Sequence, residues 1–98
     1  MGPMILEIRR GQAKQLMRDI SQPVFVVGSG EDCDMVLGDQ QFPPIHFYVL
    51  QRNGRATIGP VGSHPELTVN GKALRPSTTI KPGDRIRTGP FEFYVKAA

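Results

Sequence analysis

Few residues in this 98-residue chain are equipped for covalent or metal chemistry. There is one cysteine, Cys33, and there are two histidines, His46 and His64. No Ser-His-Asp order, carboxylate pair or metal-ligand cluster accompanies them. A lone cysteine excludes an internal disulfide and a thiolate metal site. Cys33 stands just before Asp34-Met35-Val36-Leu37 and reads as a small buried residue rather than a redox or catalytic thiol. Gly28-Ser29-Gly30 follows an apolar run, as a phosphate-cradling loop does, but neither a helix nor a third glycine comes after it. It reads as a turn, with the Ser29 hydroxyl as one neutral donor. What remains is hydrogen bonding and surface contact, so the expectation is a binding domain with no cofactor and no metal, not an enzyme.

The elements that position these residues are strands. Eleven glycines and nine prolines punctuate the chain, and long helices do not survive between them. Asn53-Gly54 lies between Tyr48-Val49-Leu50 and Ala56-Thr57-Ile58, and Asn70-Gly71 lies between Leu67-Thr68-Val69 and Ala73-Leu74. Asn-Gly accepts positive φ at both central positions of a type I′ turn, whose twist suits paired strands. Pro82-Gly83 fits the centre of a type II turn. Phe91, Phe93 and Val95 alternate with Glu92, Tyr94 and Lys96, the mark of a strand with one buried face. Leu6 and Ile8 alternate likewise with Glu7 and Arg9, and Ile86 sits between Arg85 and Arg87. Val24-Phe25-Val26-Val27 is a β-branched run suited to an interior strand. Ala13, Leu16, Met17 and Ile20 follow helical spacing, yet in this company residues 13–20 are assigned to a strand. Strands at roughly ten-residue intervals predict a sandwich or barrel. The length is that of one domain, and the chain ends almost with its last strand, as an excised domain would.

The formal net charge is +3, but the basic residues are dispersed with no block longer than two. Nucleic-acid binders of this size concentrate charge on one face with aromatics interleaved; most of the seven aromatics here sit in apolar runs. No apolar stretch approaches the roughly 20 residues that span a bilayer, and Met1-Gly2-Pro3-Met4 has neither a signal-type start nor, with Leu6 at the key position, a myristoylation pattern. The expectation is a cytoplasmic domain with no membrane insertion and no nucleic-acid partner, its partner being a protein or peptide.

Four blocks then carry a resemblance. Val26 to Leu37 reads VVGSGEDCDMVL, Asp39 to Val49 reads DQQFPPIHFYV, Gly62 to Gly71 reads GSHPELTVNG, and Lys81 to Val95 reads KPGDRIRTGPFEFYV. In this order they resemble the forkhead-associated (FHA) family, whose pattern runs Gly-Arg, Cys-Asp-Ile-Val-Leu, Ser-Arg-x-His, Gly-Ser-Thr-Asn-Gly-Thr, Val-Asn-Gly, Gly-Asp-x-Ile and Phe-x-Phe. The likeness covers residues 4–96, leaving short tails at 1–3 and 97–98. It implies an all-β, two-sheet sandwich of about eleven strands that recognises phosphothreonine with loops at one end.

The family's phosphate-binding residues do not carry over. Ser29 stands where the arginine belongs, Pro43 and Pro44 replace the start of Ser-Arg-x-His, and His64 and Pro65 replace the threonine and asparagine after Gly62-Ser63. Gly28, His46, Gly62, Ser63, Asn70 and Gly71 are retained as scaffold, with His46 at the family's structural histidine position. Phosphothreonine brings about −1.5 to −2 charges and three acceptor oxygens, and hydrogen bonds to charged groups contribute about 1.5–3 kcal/mol each. Losing the arginine and two hydroxyls therefore costs about 3–6 kcal/mol, or about 10²–10⁴ in affinity. The expected function is a protein–protein interaction module that does not depend on phosphothreonine, an assembly domain of a bacterial signalling or secretion component. Pro44, Ile45 and Leu67 are the expected apolar partner patch, and Phe42 is assigned to the core. One alternative is a phosphopeptide pocket shifted to Ser29, a protonated His64 and Lys72 or Arg75; another is a small β-barrel that binds nucleic acid.

Overall fold

The computed structural model describes residues 4–39, 42–62, 66–74 and 78–97. The alternation seen in the sequence becomes eleven strands among these residues, packed as two sheets. The strands are β1 (Met4–Arg10), β2 (Met17–Ile20), β3 (Val24–Gly28), β4 (Met35–Val36), β5 (Phe47–Arg52), β6 (Arg55–Pro60), β7 (Thr68–Val69), β8 (Lys72–Ala73), β9 (Thr78–Ile80), β10 (Arg85–Thr88) and β11 (Phe91–Ala97). One sheet has the order β2-β1-β11-β10-β7-β8 and the other β4-β3-β5-β6-β9. Every pairing is antiparallel except β3 with β4. This is the two-sheet β-sandwich that the sequence predicted.

The inward positions fill one core. Leu6, Phe25, Val27, Phe47, Val49, Ile86, Phe93 and Val95 are completely buried. Period-two alternation explains why β11 buries Phe91, Phe93 and Val95 while Glu92, Tyr94 and Lys96 face outward. The residues with helical spacing form a strand at Met17–Ile20, preceded by an isolated bridge between Ala13 and Leu37. Of that apolar set Ile20 is buried, whereas Leu16 and Met17 are exposed. The run Val24–Val27 is interior to its sheet, between β4 and β5, but only Phe25 and Val27 point inward.

Both Asn-Gly turns form as expected, with φ of 54° and 74° at Asn53-Gly54 and 53° and 83° at Asn70-Gly71. Together with the Lys81–Asp84 turn they gather at one end of the sandwich, the hairpin end. There Asp84 is buried and accepts hydrogen bonds from the Asn70 side-chain amide and the Lys81 backbone, each 2.9 Å. Asn70 Oδ1 in turn accepts from the Arg85 amide at 2.9 Å. The opposite end, the loop end, collects residues 11–16, 29–34, 37–46, 61–67 and 89–90, less those undescribed.

Candidate functional site

The loop end is built on a buried aromatic pedestal. His46 is completely buried, and its Nε2 lies 2.7 Å from the Thr88 hydroxyl. That bond ties the β4–β5 loop of one sheet to β10 of the other. Phe42, half-buried against the core, meets His46 and Phe91 edge-on, with ring centroids 5.0 Å apart in both cases. Phe47 continues the contact from His46 to Phe93.

On this pedestal two loops are stitched together. The Ser29 amide donates to the Pro43 carbonyl at 3.0 Å and the Gly30 amide to the Pro44 carbonyl at 3.1 Å. The Ser29 hydroxyl turns inward, 2.6 Å from the Phe42 carbonyl and 3.1 Å from that of Pro43. The Cys33 thiol reaches the Pro44 carbonyl at 2.9 Å. Gly28 permits the approach, because a Cβ there would collide with the Pro44 carbonyl. The prolines lack N–H groups but keep their carbonyls, and those carbonyls consume the donors of the facing loop. Cys33 is only partly buried rather than a core residue, and burial, chiefly, pushes its thiol pKa up.

The two stitched segments are acidic, while the β1–β2 loop packed against residues 36–38 brings Arg10 and Lys14 to the same end. Residues 29–46 and 61–67 contain Glu31, Asp32, Asp34, Asp39 and Glu66 but no lysine or arginine. Asp34 is spent on structure, accepting from the Val26 amide at 2.8 Å and from Gln22 at 2.5 Å, while Glu31 and Asp32 are exposed.

Several sequence expectations land elsewhere. Leu67 does not belong to an apolar surface patch: it is completely buried. Counting back by two from inward-facing Val69 puts Leu67 on the core face, so strand periodicity governs it rather than loop position. Val61, which the sequence reading missed, is 40% exposed beside Ile45 at 47%. The Val61 amide donates to the His46 carbonyl at 3.0 Å, which fixes it there. Only the fold brings residues 45 and 61 together, and no local signal separated Val61 from the strand before it. Among the described residues of these loops, Pro44, Ile45 and Val61 are exposed and apolar. Lys72, expected near a shifted pocket, follows the Asn70-Gly71 turn at the hairpin end and lines a groove with Asn70, Lys81 and Asp84. Asn70 and Gly71 therefore shape the hairpin end and are not brought to Ser29. Gly62 occupies the loop after β6 with φ of 87°. Ser63, His64, Pro65 and Arg75 lie outside the described residues.

The outer face of the six-stranded sheet bears the basic residues and the aromatic that a nucleic-acid surface would need. Two of these cations are engaged with neighbours: Arg9 covers the Tyr94 ring at 4.0 Å and pairs with Glu7 at 2.9 Å, and Arg87 lies 3.5 Å from Glu92.

With this geometry in view, comparison with known proteins is decisive for family. A family model described as the cytoplasmic domain of an inner membrane component of T3SS matches residues 7–98. The chain belongs to that family. Its fold is that of FHA domains. The FHA domain of the CT664 protein from Chlamydia trachomatis superposes with a TM-score of 0.84 at 17% identity, covering 99% of each chain. The FHA domain of a hypothetical protein from Arabidopsis thaliana gives 0.85 at 20% identity, covering 100% of this chain and 87% of that one. A domain from a study of phosphothreonine-dependent FHA interactions gives 0.83 at 21% identity, covering 98% and 97%. No curated protein matches the sequence. The chain is thus an FHA-family member, and FHA-type domains serve as protein–protein interaction modules. Among the described residues no helix is long and apolar enough to cross a membrane.

Proposed function

We propose that this domain is a non-catalytic protein-interaction module of a bacterial secretion component, acting in the cytoplasm through its loop end without dependence on phosphothreonine. The observation that carries the reading is the stitched loop pair. The donors nearest the expected phosphate position, the Ser29 amide and hydroxyl and the Gly30 amide, are turned into the carbonyls of Phe42, Pro43 and Pro44. The two stitched segments carry carboxylates and no lysine or arginine, so a cation for a phosphate of about −2 charge would have to come from Arg10 or Lys14 on the adjoining β1–β2 loop. What that end does present is Pro44, Ile45 and Val61, a small apolar platform bordered by Glu31 and Asp32. An apolar cluster with an acidic rim fits a protein partner that brings apolar and cationic side chains.

The test is capture of partners from a lysate of the source organism before and after phosphatase treatment. Recovery should not change with phosphatase, and Ile45→Asp should reduce it while circular dichroism stays that of the parent. Loss of the partners on dephosphorylation would refute phosphate independence. Full retention by Ile45→Asp would remove the platform from the interface.

A further inference from the structure

The two sheets of the sandwich are finished differently on the outside. The six-stranded sheet is covered by alternating charges, with Arg9, Glu7, Arg85, Arg87, Glu92 and Lys96 around Tyr94. The five-stranded sheet carries no charge across the middle of its outer face. Its register places Val24, Leu50, Thr57 and Thr79 in one row and Val26, Tyr48 and Gly59 in the next. The Tyr48 ring lies across Gly59, where a Cβ would otherwise stand. Val24 and Leu50 are cross-strand partners, 49% and 39% exposed. This is a flat, uncharged surface on a domain that can plainly cover a sheet with charge.

The ends of that face carry opposite signs. At the hairpin end Arg52 and Arg55 sit directly opposite each other. Like charges so placed repel, and neither arginine has an acidic partner among the described residues. They border a groove of about 510 Å³ lined also by Leu50, Asn53 and Thr57. At the loop end of the same sheet, beyond Gly28, the exposed Glu31 and Asp32 are likewise without an ion pair among the described residues. The five residue steps from Phe47 to Arg52 separate the two ends by about 17 Å.

We propose that this face is a self-association surface, on which a second copy of the chain packs about a two-fold axis with its strands running antiparallel. A two-fold contact repeats every pairing twice. It brings the hairpin end of each copy, with Arg52 and Arg55, over the loop end of the other, the end that carries Glu31 and Asp32, with Val24, Leu50 and Tyr48 between them. Aligned sheet faces pack at about 10 Å with a modest crossing angle, and a flat uncharged centre permits this approach. Five strands at about 4.8 Å and about 17 Å of length give roughly 400 Å² per copy, about 800 Å² in total and below the roughly 1,000 Å² that a stable specific interface exceeds. The association is therefore weak in free solution and becomes effective when copies are held close together.

Sedimentation velocity on the domain from about 20 µM to about 1 mM in low salt should show a monomer–dimer equilibrium, a range that brackets a weak interface. Raising ionic strength to about 0.5 M should weaken it, because the rim contacts are screened. Arg52→Glu with Arg55→Glu, and separately Glu31→Arg with Asp32→Arg, should each be monomeric. An equimolar mixture of those two variants should dimerise, since both rim contacts are then attractive. Leu50→Asp in either member should abolish the mixed dimer. Concentration-dependent methyl shifts should fall on Val24, Val26 and Leu50. A parent that stays monomeric to about 1 mM would overturn the proposal, since even this small face should associate there. So would a mixed dimer indifferent to Leu50→Asp, which would show charge attraction without the face. Neither result bears on partner capture at Ile45.

Discussion

Thr88→Val removes a buried side-chain bond that joins the two sheets beneath the loop end. Valine nearly reproduces the shape of threonine and favours strands, so β10 should keep its pairing with β11. What changes is that His46 Nε2 loses the hydroxyl 2.7 Å away, in a place where both residues are completely buried. No water reaches it to compensate. Leaving such a group unsatisfied costs about 1–3 kcal/mol. For a domain of this size about 4–8 °C of melting temperature accompanies each kcal/mol, so the drop should be about 5–20 °C. Urea unfolding should show a lower midpoint with an unchanged slope, since the surface exposed on unfolding is the same. His46→Ala should cost more, about 3 kcal/mol or above, because it also leaves a cavity between Phe42 and Phe47. In a double-mutant cycle the two substitutions should be coupled by about 1 kcal/mol. Hydrogen exchange should localise the effect, with faster exchange at the Ser29 and Gly30 amides, whose acceptors sit on the loop that His46 anchors. If Thr88→Val melts within about 2 °C of the parent, or the two substitutions are additive, the bond does not hold the loops.

Other perturbations follow from the same contacts. Gly28→Ala should destabilise by about 1–3 kcal/mol, as overpacking does, because its Cβ meets the Pro44 carbonyl; a melt unchanged from the parent would contradict the close approach. Asn70→Ala removes a partner of buried Asp84 and the acceptor of the Arg85 amide, so thermal unfolding should register about 1–3 kcal/mol lost, with partner binding at the loop end intact. Burial raises the Cys33 thiol pKa; less thiolate is then present at a given pH, so iodoacetamide should alkylate Cys33 more slowly than a peptide cysteine at pH 7.5, with the rate profile displaced to higher pH. Equal rates and profiles would refute that. Fluorescence anisotropy at pH 7.5 should show no preference for phosphothreonine peptides over unphosphorylated ones, whereas Ser29→Arg, Pro43→Ser, His64→Thr and Pro65→Asn together should create one, the arginine contributing most through its charged fork. Selective binding by the parent would restore the shifted-pocket reading.

Local chemistry settled much of this protein from the sequence alone. The Asn53-Gly54 and Asn70-Gly71 hairpins follow from residues that tolerate positive φ, and the buried face of β11 follows from period-two alternation. Both are properties of neighbours in the chain. That a serine, Ser29, and not an arginine follows Gly28 was equally legible, because it needs only a motif and a position. What the sequence left undecided depends on partners far apart in the chain. Val61 became part of the apolar platform because its amide binds the carbonyl of His46. Ser29 resembled a spare donor until the fold set it against the carbonyls of Phe42 and Pro43, and Lys72 resembled a pocket cation until its strand left it at the other end. Whether a donor is available, or an apolar side chain exposed, is a property of what packs against it, and in an antiparallel sandwich most of those contacts are long-range.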